Sequence, residues 1–354
     1  MSRSPVSPQP LLDADALDED WGVEALGAPA PSASVATREG VVAAAQQGQR
    51  LDAWLVSLAD EFSRSHLKGL IEAGCVRVDG KLADSPSRKV SAGQHVWVEL
   101  RPTAQSQAFV AEPMDLPIVF EDEHLLIIDK AAGMVVHPAA GHWSGTLMNG
   151  LLAHHAGAVN LPRAGIVHRL DKDTSGLMVV GKTLEAVTAL SRAIADRVVK
   201  RQYVALVHGA VADAFSVEVA IGRDPASRIK MAVLASGKPA RTDVRCLGRV
   251  VLDEDHPEGA IRRSFSAVEC TLHTGRTHQI RVHMASRKHP LVADALYGGA
   301  PALGLTRQAL HAYRLAFDHP ISGAALRFES SLPGDLAQAW GRLQMVQQKP
   351  VTGA

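Results

Sequence analysis

Hydrophobic residues recur at two spacings along this chain, and the change of spacing marks its parts. In "SRSHLKGLIEAG", residues 63–74, Leu67, Leu70 and Ile71 repeat at helical spacing. A Ser opens that stretch and Gly74 closes it, so it predicts a capped helix. "CVRVDGKLA" then alternates apolar and polar about Asp79-Gly80, the signal of a hairpin, and "HVWVEL" predicts one more strand. Farther along, "HLLIIDK", "GLMVVGKT", "QYVALVHG", "SAVECTL" and "LHAYRLAF" are short runs of strand character. "LEAVTALSRAIADRVV" is an amphipathic helix between two of them, and "FDHPISGAALRFES" closes as a hairpin across a Pro/Gly turn. From 118 to 345 strands dominate among scattered helices, which predicts an α+β fold with a mixed, mostly antiparallel sheet. No repeat of fixed solenoid period is present.

Two stretches lack either period. Residues 1–45 are rich in Pro, Ser, Ala and acid, with too little apolar surface to offset chain entropy, and predict a disordered tail. Residues 102–117 read as a linker. The expected organisation is therefore a tail (1–45), a small unit (49–101), a linker (102–117) and a large domain (118–345).

Composition changes this picture little. Of 354 residues, 46% are hydrophobic and 21% charged, ordinary for a globular chain, and the net charge of zero names no partner. Cys75, Cys246 and Cys270 are far apart and odd in number, which argues against a disulfide framework or cysteine zinc site and fits a reducing cytosol. The N-terminus has no apolar signal-peptide core, and no run is long enough for a membrane helix.

The distribution of charge says more. Residues 1–40 hold seven acids against two bases, a net of −5, so the rest of the chain carries +5. In the small unit, Arg64 and Lys68 share one helix face and Arg77 and Lys81 flank the hairpin turn, a plausible phosphate footprint; the plainer reading is a solvated face. Residues 271–294 hold His273, Arg276, His278, Arg281, His283, Arg287, Lys288 and His289 with Asp294 as the lone acid, and 223–249 is a third basic stretch. Concentrated basic stretches in a neutral protein point to a polyanion, most simply nucleic acid.

One motif misleads. "GLMVVGKT" fits the nucleotide-binding pattern G-x-x-x-x-G-K-[ST] letter for letter. A phosphate cradle needs flexible backbone between its glycines and an apolar strand before the first one. Here Leu177, Met178, Val179 and Val180 lie between them and polar "HRLDKDTS" comes before, so the segment reads as a strand. His278 and His283, five apart, do not share a helix face, and no acid supplies a third ligand, so no metal is expected. Asp171 and Asp173 form a D-x-D, which leaves open a metal clamp, a glycosidase pair or a loop-capping acid. Taken whole, "GIVHRLDKDTSGLMVVGKT" is a strand entering at Gly165–Val167, a dense polar turn and a strand leaving, the placement of a catalytic loop on a rigid scaffold.

At these residues the chain resembles the RluA-type pseudouridine synthases, most of all the RluD-like members that modify large-subunit ribosomal RNA. The likeness runs from about 49 to 343. It rests on "IIDKAAGMVVHP", "RAGIVHRLDKDTSGLMVV", "RQYVALVHG" and "TGRTHQIRVHM", while 49–101 resembles an S4 RNA-binding domain. Ala131 stands where the family usually has proline. The resemblance implies a pseudouridine synthase fold and a cofactor-free isomerisation of uridine in RNA. Asp171 would be the catalytic carboxylate, Arg281 its pairing cation, Tyr203 the tyrosine against the target base, and Arg169 the residue that fills the gap left by the flipped base. Lys130, His168 and Arg276 join the RNA-facing set, Lys130 and His168 with a structural role as the alternative. The expected substrate is a 23S ribosomal RNA stem-loop of helix 69 type, and the expected enzyme a cytoplasmic monomer without membrane association. Rival readings are a non-catalytic S4-containing assembly factor, a nucleotide triphosphatase and a glycoside hydrolase.

Overall fold

The computed structural model describes residues 36–347 except 61, 102–108, 140–141, 228 and 255–260. Most of the expected tail and much of the expected linker lie outside the described residues. The chain divides into two compact units, which part near residue 110, with 139–144 grouped with the first.

The first unit contains β1 (Ala36–Val41), α1 (Leu51–Leu58), α2 (Arg64–Glu72), β2 (Val76–Val78), β3 (Lys81–Leu82) and β4 (His95–Leu100). Its four-stranded sheet has the order β1-β4-β2-β3. Ser63 caps α2 by accepting the His66 N–H. Asp79 and Gly80 both have positive φ, 52° and 75°, as a type I′ hairpin turn requires. Asp79 also accepts the His95 N–H, which ties the turn to β4. Leu51, Leu55, Leu67, Ile71, Val76 and Val96 form the core beneath the helices.

β1 corrects the expected tail boundary at 45. Its six residues pair in full register with β4. "ATREGV" shows no apolar alternation because the strand sits at an exposed edge, held by main-chain pairing, and so hydrophobic period could not announce it.

The second unit contains β5 (Ile118–Glu121), β6 (Leu125–Lys130), α3 (Leu147–His154), β7 (Ser175–Gly181), α4 (Leu184–Ala195), β8 (Lys200–His208), β9 (Ala214–Glu218), β10 (Ile221–Arg223) and β11 (Met231–Val233). It continues through β12 (Arg241–Glu254), β13 (Ile261–Leu272), α5 (Gln279–Ser286), β14 (Leu310–Asp318), β15 (Ala325–Glu329) and α6 (Gly334–Gln347). Nine strands make one sheet in the order β5-β6-β7-β14-β8-β13-β12-β9, with β15 also on β14. Among the described residues only the β7–β14 pairing in it is parallel. Every residue of β7 is buried, as expected of a strand covered on both faces, and this is the segment that mimics a nucleotide loop. Leu125, Ile127, Leu177, Val179, Leu190 and Phe317 pack in one core cluster.

The approach to the polar turn differs from the expected strand at Gly165–Val167. Ile166 makes a single bridge to Val180, and Arg163 and Ala164 are left-handed. Gly165 has φ 86°, and a Cβ there would lie 1.9 Å from the Gly181 carbonyl oxygen. The backbone is pressed too closely against β7 for a strand of ordinary residues to run beside it.

Candidate active site

The polar turn lies between Ile166 and β7, and three anchors hold its backbone. Lys130, at the end of β6, donates from Nζ to the carbonyls of Ala131, Met134 and Lys172 at 2.9–3.0 Å. The Gly133 N–H donates to the same Lys172 carbonyl. Arg307 donates to the Asp173 carbonyl and is itself forked onto Asp335 of α6. Lys130 is wholly buried, and burial pulls its ammonium down to about 8. It is therefore corrected from an RNA-facing residue to a buried clamp on the loop.

His168 is corrected in the same way. It is 1% exposed, and its Nε2 accepts the Val179 N–H at 3.0 Å, so it ties the turn to β7. Burial pushes its imidazole down to about 3, with the charge of Arg201 acting in the same direction. It is a neutral ring that no phosphate reaches.

Asp171 lies in a cleft whose walls include Arg169, Tyr203, Arg276, His278 and Arg281. Arg281, in the first turn of α5, donates from Nη1 to Asp171 Oδ2 at 2.9 Å. Its Nε and Nη2 donate to the two oxygens of Asp294 at 2.8 and 2.9 Å. One guanidinium thus serves two carboxylates. Asp294 is 1% exposed, and the Arg281 fork supplies the pairing that a buried charge needs. Burial pushes the Asp171 carboxyl upward. The charges of His278 and Arg281, the Arg281 hydrogen bond and the charge of Arg169 outweigh it, and the carboxyl is held below its ordinary value. Burial lowers His278, so at neutral pH that ring is uncharged and Arg281 is the hydrogen-bonded cation that keeps Asp171 ionised. Tyr203, 4% exposed, is placed mid-strand in β8 opposite Cys270 and Ala312.

The structure thus brings Asp171, Tyr203, Arg281, Arg169 and Arg276 to one cleft. Arg64, Lys68, Arg77 and Lys81 are exposed in the first unit, with Arg64 on Asp52 and Lys68 near Glu72. The 223–249 stretch is less available than its composition suggests: Arg241, Arg245 and Arg249 form ion pairs with Asp243, Glu269 and Asp213, and Arg228 lies outside the described residues. His283 is fully buried, bonded to Thr242 and the Val219 carbonyl.

Three site residues escaped the sequence reading: Asp294, Tyr297 and Arg307. Tyr297 lies under Arg281, 5.0 Å from guanidinium carbon to ring centre, and bonds His278. A signal for Asp294 existed: it is the lone acid of a basic stretch, set in apolar "LVADALYGG", and an acid so placed needs a buried cation.

Comparison with known proteins gives a match in each unit. The RNA pseudouridylate synthase family signature matches residues 124–286, and the S4 domain signature matches 49–96. "Ribosomal large subunit pseudouridine synthase D" of Neisseria meningitidis serogroup B is 48% identical over 302 residues, covering 82% of this chain and 77% of the relative. The protein of the same name from Nitrosomonas europaea is 46% identical, covering 86% of each chain. Among solved structures, "Human RNA Pseudouridylate Synthase Domain Containing 1" aligns at 23% identity and a TM-score of 0.49, over 71% of this chain and 98% of that one.

Proposed function

The chain belongs to the RNA pseudouridylate synthase family, and from that premise we propose how its own residues convert uridine to pseudouridine in large-subunit ribosomal RNA. The reaction breaks the N1–C1′ bond, turns the uracil and joins C5 to C1′, with loss of the C5 proton. Nothing is oxidised. One ionised carboxylate is needed at the sugar, to attack C1′ or to take a proton from C2′, and Asp171 has that role. The observation that carries the reading is the Asp171–Arg281 pair, at 2.9 Å, on the wall of a cleft shared with Tyr203. An unpaired carboxylate so placed would bind a proton; this one stays charged.

The target uridine must leave its stack, which costs a few kcal/mol, less in a loop than in a duplex. Arg169, on the wall beside Asp171, takes the vacated place, Arg276 holds a neighbouring phosphate, and Tyr203 lies against the base and takes part in removing the C5 proton, passing its own hydroxyl hydrogen on to water as it takes the other. Arg64, Lys68, Arg77 and Lys81 of the S4 domain contact backbone phosphates. The substrate is a 23S stem-loop of helix 69 type, a choice supported by the relatives named for the large ribosomal subunit. The enzyme works in the cytoplasm as a monomer. Among the described residues no helix is long and apolar enough to cross a membrane, and Cys75, Cys246 and Cys270 are free thiols, as a reducing compartment leaves them.

Release of tritium from C5-labelled uridine in large-subunit RNA tests the proposal. Wild type releases it, and Asp171→Ala binds the RNA but releases none. Binding without release by the wild type would favour the non-catalytic assembly factor instead.

A further inference from the structure

Among the cleft residues that the mechanism leaves unused is His278, whose ring stands beside the Asp171 carboxylate. It caps α5 in the left-handed conformation, with φ 56°, rare for a residue with a side chain. Its ring is fixed on one side. Nδ1 lies 2.7 Å from the Tyr297 hydroxyl oxygen, and that oxygen already accepts the Met231 N–H at 2.9 Å. The backbone N–H cannot reverse its role. The tyrosine hydrogen is therefore free to point at His278 Nδ1, and burial pushes the phenol up to about 12, so the hydrogen stays on it. A neutral ring that accepts at Nδ1 carries its own hydrogen on Nε2.

That Nε2–H faces the reacting carboxylate without being used by it. Arg281 engages Asp171 Oδ2, while His278 Nε2 stands 3.9 Å from Oδ1, beyond hydrogen-bond reach. The groups facing the ring are Asp171, Arg281, Arg169, Asp294 and Tyr297, and among them burial keeps the imidazole neutral at pH 7. A poised neutral donor beside an anionic oxygen suits chemistry in which a second negative charge develops nearby. Uracil is that second anion, because breaking N1–C1′ sends the electron pair to the base, where it spreads over N1 and the two carbonyl oxygens.

We infer that His278 is a further catalytic residue, whose Nε2–H donates a hydrogen bond to a uracil carbonyl as the N1–C1′ bond breaks, with Tyr297 as the positioning residue that fixes its tautomer. No proton changes hands at His278. The electron pair that leaves C1′ stays on uracil until C5 uses a pair to form the new bond, and the C5 proton departs afterwards. The inference rests on the function proposed above.

The test is steady-state kinetics of tritium release with wild type, His278→Ala, His278→Gln and Tyr297→Phe, alongside thermal melts. His278→Ala should lose about a hundred- to a thousand-fold in kcat, as removal of one preorganised donor does. KM for the RNA should stay within roughly threefold, since the bond forms with the transition state. His278→Gln restores an N–H near the Nε2 position and should recover much of the loss, and Tyr297→Phe should fall between wild type and His278→Ala with KM unchanged. Were His278→Ala not to fold, His278→Phe, a ring without a donor, replaces it, and His278→Gln must still exceed it. A kcat for His278→Ala within roughly threefold of wild type, equal loss in the Gln and Ala or Phe variants, or a loss seen only in KM, overturns the inference and leaves the function standing. No release by wild type removes both.

Discussion

Arg281 is the residue on which the site turns, because it joins Asp171, the carboxylate proposed to react, to Asp294, which lies buried behind it. Asp294 takes two of its nitrogens and Asp171 the third, so the Asp171 carboxylate has a fixed orientation and a permanent countercharge. Asp294→Asn should therefore destabilise the protein by about 3 kcal/mol, since it breaks a buried pair from one side, and should lower kcat with it. Urea midpoints and tritium release check both. His168 makes a second prediction. Its imidazole titrates near 3 in the fold against 6.5 ordinarily, so between those values the unfolded chain binds a proton that the folded chain does not. Stability then falls as pH drops through that window, by of order 5 kcal/mol in all from this one ring. Melting His168→Leu and wild type at pH 7 and pH 4.5 should show a shallower loss in the variant; equal losses would remove His168 from the acid response. Asp171, Tyr203 and Arg281 were singled out from the sequence because their motifs are specific, and the structure sets all three on the walls of one cleft. Asp294 and Tyr297 were not, because their partners lie elsewhere in the chain and only the fold shows that α5 reaches them.

At the scale of elements, strands with apolar period were legible and those without it were not. β7 announced itself by four consecutive apolar residues, and its letter match to a nucleotide loop dissolved on that ground. β1 was hidden, because an edge strand needs main-chain pairing and little else. Lys130 was misplaced for a related reason: a lysine reads as surface unless three carbonyls are known to converge on it. They do, and they join the loop after β6 to the loop that carries Asp171. Lys130→Met should orphan the Ala131 and Met134 carbonyls and cost about 3 kcal/mol. The loosened turn should also lose about a hundred-fold in kcat, the scale of a misplacement near 1 Å. Unfolding curves and single-turnover rates measure these; an unchanged rate would show that the loop holds its shape without the clamp.

The whole molecule has two units: the S4 signature matches one, and the other carries the cleft that holds Asp171. The linker expected at 102–117 spans the point near 110 where the units part, while the first unit starts earlier than expected, since residues 36–41 belong to its sheet. If the S4 domain grips phosphate through Lys68, Arg77 and Lys81, changing all three to Gln should flatten the log–log salt dependence of RNA binding by about two. An unchanged slope would make them merely solvated charges. The claim on which everything else depends is that the Asp171 carboxylate performs the isomerisation. The direct measurement is pseudouridine formed by wild type and by Asp171→Asn in one turnover on the same ribosomal RNA, at saturating enzyme. Wild type should convert its substrate almost completely, and Asp171→Asn, binding the RNA equally well, should convert none above background. Conversion by Asp171→Asn at a rate near wild type would contradict a catalytic role for the Asp171 carboxylate.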